Sequence, residues 1–292
     1  MVLEGFIDSI KPENKPWKLI LYGFILASVA SFLGLWIFRS YSSLIMVFLV
    51  TLGCLPLVYA IIKREEEKDL TDLNEKLLLK EHGKALMTFM YLFVGVTFAL
   101  AFWYTILPSG TVGALFESQV STLNTINPNS IQTHVVGNAT GHVGSSFRVL
   151  TDIFLNNLKV FVFCILFAFI YGSGAIFILM WNASIIGTAI GNILRSGLAE
   201  AATLVGAGAA AKYFETIAIA LFRYALHGIP EILAYFTAGL AGGIISIAVI
   251  RHDFGSRKFE HIVLDSADLL IVSLILLFVA AILEVFVTPV IF

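Results

Sequence analysis

The sequence predicts an all-α protein: a polytopic helical membrane bundle of about seven spans, with broken or re-entrant helices between residues 181 and 231. Three observations predict it. Of 292 residues, 59% are hydrophobic and only 13% are charged, against roughly 45–50% and about 25% in soluble domains. Mean hydropathy is +0.92. The charges are clustered, so long stretches carry none. In hydrocarbon each backbone polar group must be satisfied within the chain, and uninterrupted apolar runs solve that as helices. The same figures exclude a disordered chain, which needs low hydrophobicity and high charge. A net charge of −2 gives no basic surface for nucleic acid. The two cysteines, Cys54 and Cys164, lie in apolar runs and read as small buried hydrophobes.

Residues 1–18 read as an interfacial segment. Val2, Leu3, Phe6, Ile7 and Ile10 have helical spacing, with polar residues on the other faces. Leu19–Phe38 and Ser43–Ile62 are the first two spans and form a hairpin. The first is no cleaved signal peptide, because it starts late and is followed by Arg39. Residues 63–84 carry seven acidic and six basic residues, with Leu70, Leu73 and Leu77 on one stripe. That pattern predicts an amphipathic helix, either packed on the bundle or used for docking. Leu86–Leu107 is the third span and closes an N-terminal membrane part, residues 19–107.

Residues 108–150 form a separate segment. Twenty of these 43 residues are Gly, Ser, Thr or Asn, and the segment is too long for a plain connection. A short helix is expected around Val112–Leu123, and Asn138-Ala139-Thr140 fits the glycosylation sequon. The C-terminal membrane part, residues 151–292, holds runs at Leu158–Met180, Glu231–Ile250 and Leu269–Phe292. Between them the pattern weakens, with Arg195, Glu200, Lys212, Glu215 and Arg223 among many Gly and Ala.

Lys and Arg set the orientation. The N-terminal segment, 63–84 and 251–268 are rich in them, whereas 108–150 carries only Arg148. The N-terminus is therefore expected in the cytoplasm of a cell with this chain in its plasma membrane, and 108–150 and the C-terminus outside. That requires an odd number of crossings, and Tyr213–Leu226, about 21 Å as a helix, supplies the seventh.

Ionisable and amide groups are expensive in a bilayer and mark the places to read. Asn157, Asn182, Arg223, His227, Glu231 and Glu284 form the candidate polar cluster. His227 and Glu231 share a helical face. Gly228 and Pro230 between them predict a helix break, because Pro230 cannot donate to the carbonyl of Leu226. The pair reads as a structural lock, a proton or cation relay, or two ligands of a divalent metal such as zinc. A catalytic zinc site needs about three protein ligands. Glu284 sits 15 residues into the last run; ionised, it needs a partner, with His227, Arg223 and Arg195 as candidates, and otherwise it sits protonated and hydrogen-bonded in the bundle. Thr288-Pro289 is expected to end that helix. Buried amides such as Asn156, Asn157, Asn182 and Asn192 act as interhelical glue or line a polar path. Gly187-x-x-x-Gly191 and Gly239-x-x-x-Gly243 allow close helix crossing within the chain or in a homodimer.

These motifs resemble one family. Asn156-Asn157, Trp181-Asn182-Ala183-Ser184-Ile185-Ile186-Gly187, His227-Gly228-Ile229-Pro230-Glu231-Ile232-Leu233-Ala234, Gly239-x-x-Gly242 and Glu284-Val285-Phe286-Val287-Thr288-Pro289 look like the stage II sporulation protein M family, over roughly residues 151–289. One departure is Asn182-Ala183, where the family pattern has Asn-Gly. The resemblance implies a multi-pass prokaryotic membrane protein. In spore formers the named member works as a scaffold in a membrane complex with cell-wall-degrading partners. The resemblance also makes His227, Glu231, Asn157, Asn182 and Glu284 the polar signature.

The leading expectation is a non-enzymatic scaffold or assembly factor with membrane or cell-envelope protein partners. The alternative is a transporter or channel for an ion or small solute, using His227, Glu231 and Glu284. The third is an intramembrane metal-dependent hydrolase with zinc at His227 and Glu231.

Overall fold

The computed structural model describes residues 17–69, 75–126, 143–171, 174–250 and 256–291. These residues form ten α-helices: α1 (Lys18–Ile37), α2 (Ser42–Asp69), α3 (Glu75–Ile106), α4 (Ser109–Leu115), α5 (Glu117–Ile126), α6 (Val143–Tyr171), α7 (Ala175–Ala201), α8 (Ala207–Ile250), α9 (Arg257–Ile282) and α10 (Thr288–Ile291). A π-helical turn, Leu283–Val287, joins α9 to α10. The described residues contain no strand. Seven helices are long and apolar enough to cross a membrane: α1, α2, α3, α6, α7, α8 and the α9–α10 rod.

The span count agrees with the sequence, but several boundaries do not. The run Leu158–Met180 is two helices, since α6 ends at Tyr171 and α7 begins at Ala175. Residues 172 and 173 lie outside the described residues. The stretch expected to be broken or re-entrant, 181–231, holds a single interruption at 202–206, where Gly206 has φ +65°. That left-handed backbone favours glycine. Tyr213–Leu226 is therefore no separate short span. It is the first half of α8, which runs unbroken through Gly228 and Pro230. Proline removes one backbone bond, and neighbouring helices hold the helix in place. Of the segment 63–84, residues 63–69 finish α2 and 75–84 open α3, while 70–74, with Leu70 and Leu73, lie outside the described residues. The short helix expected near 112–123 is the pair α4–α5. Thr288-Pro289 does not end the last helix, which continues to Ile291. The N-terminal interfacial segment and the Asn138 sequon lie outside the described residues.

Alternating direction brings the α1–α2 turn, α4–α5 and the α7–α8 linker to one end, here the capped end. The α2–α3 and α8–α9 connections lie at the opposite, open end. Close approach is built on glycine. A Cβ on Gly23 would sit 2.6 Å from the carbonyl oxygen of Leu92, and one on Gly95 would overlap the backbone of Ile20. Thus α1 and α3 touch backbone to backbone. Gly187 and Gly191 press in the same way on Thr97, Ala101 and Tyr104 of α3. Gly239 meets Ala175 of α7, and Gly242 meets Ile165 and Ala168 of α6. Gly243 is also buried in α8. Both small-residue motifs are therefore consumed inside one chain. At the centre, Phe89, Phe93 and Phe236 stack across α3 and α8.

Candidate functional site: a polar layer across α6, α8 and α9

The layer follows from helix register. α8 and the α9–α10 rod run antiparallel, and His227 Nδ1 lies 3.4 Å from the Thr288 hydroxyl. One turn along each helix from that contact puts Glu231 level with Glu284. The two carboxylates are close enough to act on each other electrostatically. The Tyr235 hydroxyl donates to Glu231 Oε1 at 2.9 Å, and its ring is fully buried. α6 runs parallel to α8, with Cys164 beside Tyr235. Counting back from the contact of Gly242 with Ile165 and Ala168, Asn157 lies about level with residues 231–234 of α8. Asn157 belongs to the buried stripe Asn157, Phe161, Cys164 and Ala168 of α6, which is the stripe that meets α8.

Backbone defects accompany the side chains. In the π-turn the Thr288 N–H reaches the carbonyl of Leu283. Pro289 has no N–H to give. The carbonyl of Glu284 thus lacks both the donor four residues on and the donor five residues on. π-turns of this kind occur often at functional sites. Pro230 likewise leaves the carbonyl of Leu226 without its backbone donor.

His227, Glu231, Glu284 and Asn157 therefore come together. Arg223 is one turn above His227, near enough to act on it, with its side chain facing outwards. Asn182 stays on its own helix, donating to the Ile178 carbonyl at 2.8 Å. Arg195, expected as a partner for Glu284, is elsewhere. It donates through Nη1 to the carbonyls of Tyr104 (3.1 Å) and Leu107 (2.7 Å), and through Nη2 to the Ser109 hydroxyl (2.8 Å). A cation at the C-terminal carbonyls of α3 is a favourable cap. His227 and Glu231 would supply two of the roughly three protein ligands that a catalytic zinc takes, and among the described residues no group of three His, Cys, Asp or Glu lies close enough to hold a metal.

Three groups escaped the sequence reading. Gln119 of α5 is fully buried and donates to the Ser43 carbonyl (3.3 Å) and the Ser184 hydroxyl (3.2 Å). Ser42 donates to the Ala114 carbonyl at 3.0 Å, and the Ser43 and Ser118 hydroxyls pair at 2.8 Å. These bonds pin α4–α5 to α2 and α7. Beside that cap a cleft of about 700 Å³ opens, bordered by Tyr104, Val112, Glu117, Ser121, Asn192 and Arg195. Glu65 and His82 form a buried pair at 3.0 Å, tying the open ends of α2 and α3. Their signal was a lone His within a charged segment, which is weak. Tyr235 was more legible, since it lies four residues after Glu231.

The family model described as stage II sporulation protein M matches residues 84–289. That range contains the capped end from α3 onward and the whole polar layer. No curated protein and no solved structure matches the chain.

Proposed function

We propose, on the premise that this chain belongs to the stage II sporulation protein M family, that it acts as a non-enzymatic scaffold of a membrane complex. The observation that carries this reading is the cap. α4 and α5 are held by Gln119, Ser42, Ser43 and Arg195 against three spanning helices, and they border an open cleft. A platform that is rigid before binding loses less ordering entropy when a partner docks. The cleft walls mix hydroxyls, amides, one carboxylate and one guanidinium, as the rim of a protein interface does. In this reading the cell membrane holds the bundle, with the N-terminus in the cytoplasm and the capped end and C-terminus outside. The Lys and Arg of 63–84 and 251–258 support that orientation.

The test is a photo-crosslinking amino acid at Ser121 in cells of the native host, followed by mass spectrometry of the adducts. A discrete protein adduct that disappears in Arg195→Ala supports the scaffold reading. No adduct at Ser121, together with solute flux through reconstituted vesicles, would overturn it. The second reading, passage of an ion or small solute, is favoured by the polar layer. A flux that falls in Glu284→Gln would establish it.

A further inference from the structure

We propose that the polar layer is a binding site for one hard monovalent cation of sodium size, held between α8 and the π-turn by Glu231, Glu284 and the freed carbonyl of Glu284. The inference is independent of the scaffold reading, since a scaffold needs no ion there.

Charge comes first. Two carboxylates face each other within apolar spans, and among the described residues neither makes an ion pair with Lys, Arg or His. Arg195 is committed to the end of α3. Carboxylates at such depth take either a proton or a compensating cation. Donor chemistry comes second. Beside the His227 nitrogen the inward groups are oxygens: two carboxylates, the Thr288 hydroxyl, which donates to the Leu283 carbonyl at 3.0 Å, and a backbone carbonyl without a helical donor. Oxygen sets suit alkali cations, whereas zinc selects nitrogen and sulfur. A calcium shell takes 6–8 oxygens, more than these two helix faces present.

Two independent observations point to a ligand. Asn157 is 8% exposed, yet its Nδ2 has no hydrogen-bond partner. It lies on the stripe of α6 that packs against α8, about level with Glu231 by the contact of Gly242 with Ile165 and Ala168. With nothing bonded to Nδ2, a half-turn of the amide breaks no bond at that atom and brings Oδ1 inward as a further oxygen ligand. Space is also present. Gly228 is buried, but a Cβ placed on it would meet no atom within 4 Å. The helix therefore leaves open space one turn from Glu231, unlike Gly239 and Gly242 further along α8, where a Cβ would meet a neighbour at 2.9 Å. The geometry matches sites in which interrupted helix backbone supplies carbonyls to a sodium ion near a carboxylate.

The experiment uses the full chain in detergent. N,N′-dicyclohexylcarbodiimide, which modifies carboxyl groups in apolar surroundings, is added in sodium chloride or in choline chloride. The modified residues are then mapped by mass spectrometry. Labelling of Glu231 or Glu284 should slow at least fivefold in sodium, saturably, and ²²Na should bind at about one per chain. Glu284→Gln should weaken that binding at least tenfold. Equal labelling rates in sodium and choline would overturn the proposal, as would protection by calcium but not by sodium. If Glu284→Gln fails to fold, the labelling of the unaltered protein decides alone.

Discussion

Replacing Gly95 by alanine tests whether α1 and α3 truly meet backbone to backbone. The added Cβ would overlap the backbone of Ile20, which has no side-chain rotamer to yield. The helices must then move apart, and the neighbouring contact between Gly23 and Leu92 opens with them. Overpacking of this kind costs about 1–3 kcal/mol, and a rigid backbone wall places it near the upper end. Against this, alanine is better than glycine in a helix interior by about 1 kcal/mol. Gly83→Ala isolates the contact, because Gly83 lies in the same helix and its Cβ would meet nothing within 4 Å. Both variants gain the propensity, and only one meets the wall. The two should therefore differ by about 2–3 kcal/mol, or roughly 30- to 150-fold in the unfolding equilibrium. Unfolding by sodium dodecyl sulfate in mixed micelles, followed by tryptophan fluorescence, measures it. Agreement of the two variants to within ~0.5 kcal/mol would refute the close crossing.

Further expectations can be checked together. Gln119→Leu removes two hydrogen bonds in a buried site, so amide exchange across α4–α5 should accelerate, with a stability loss of about 1–3 kcal/mol; unchanged exchange would mean the cap is held by apolar contacts alone. Tyr235→Phe leaves Glu231 Oε1 without its donor and should lower stability by about 1–2 kcal/mol, read as a fall in melting temperature, while no fall would show that the bond contributes nothing net. His82→Leu removes the His82 partner of the buried Glu65 carboxylate and should cost about 1–3 kcal/mol. The double change with Glu65→Leu should cost less than the single one, and additive losses would argue against the pair. Cys54 and Cys164 are both buried, so a cysteine introduced at Ser121 is a clean topology reporter: an impermeant maleimide should label it in intact cells, and labelling only after lysis would reverse the assigned orientation.

Much of the fold was legible because hydropathy reports burial in lipid directly. The hairpin of α1 and α2 and the span of α3 follow from runs that carry no charge. The error came where hydropathy and helix punctuation disagreed. Leu158–Met180 looks continuous by apolarity alone, whereas one described helix ends at Tyr171 and the next begins at Ala175. Conversely, Pro230 looked like a break, and tertiary packing carried α8 through it. Within the site, His227, Glu231, Glu284 and Asn157 stand out from sequence because each is costly in hydrocarbon. Which of them meet was not legible, since that depends on the register of α6, α8 and α9. Arg195 shows the limit well. From sequence it was a counter-charge for Glu284, and in the fold it caps α3 at the other side of α7. Gln119 was hidden by its setting, because a glutamine in a polar segment carries no sign that it points inward.

The length of α8 has a mechanical consequence. Its 44 residues make a rod of about 66 Å, against ~30 Å of hydrocarbon. His227 lies 20 residues below its first residue, about 30 Å along the axis. Gly197 against Thr216 clamps the upper part of this rod to α7, and no joint interrupts it before the carboxylates. The helix is thus a lever whose long arm ends at the capped side and whose short arm carries Glu231. A tilt of only 3° about the level of His227 would sweep the far end by about 1.5 Å while the carboxylate moved a few tenths of an ångström. Whatever grips that far end holds the position of Glu231 relative to Glu284 with a mechanical advantage.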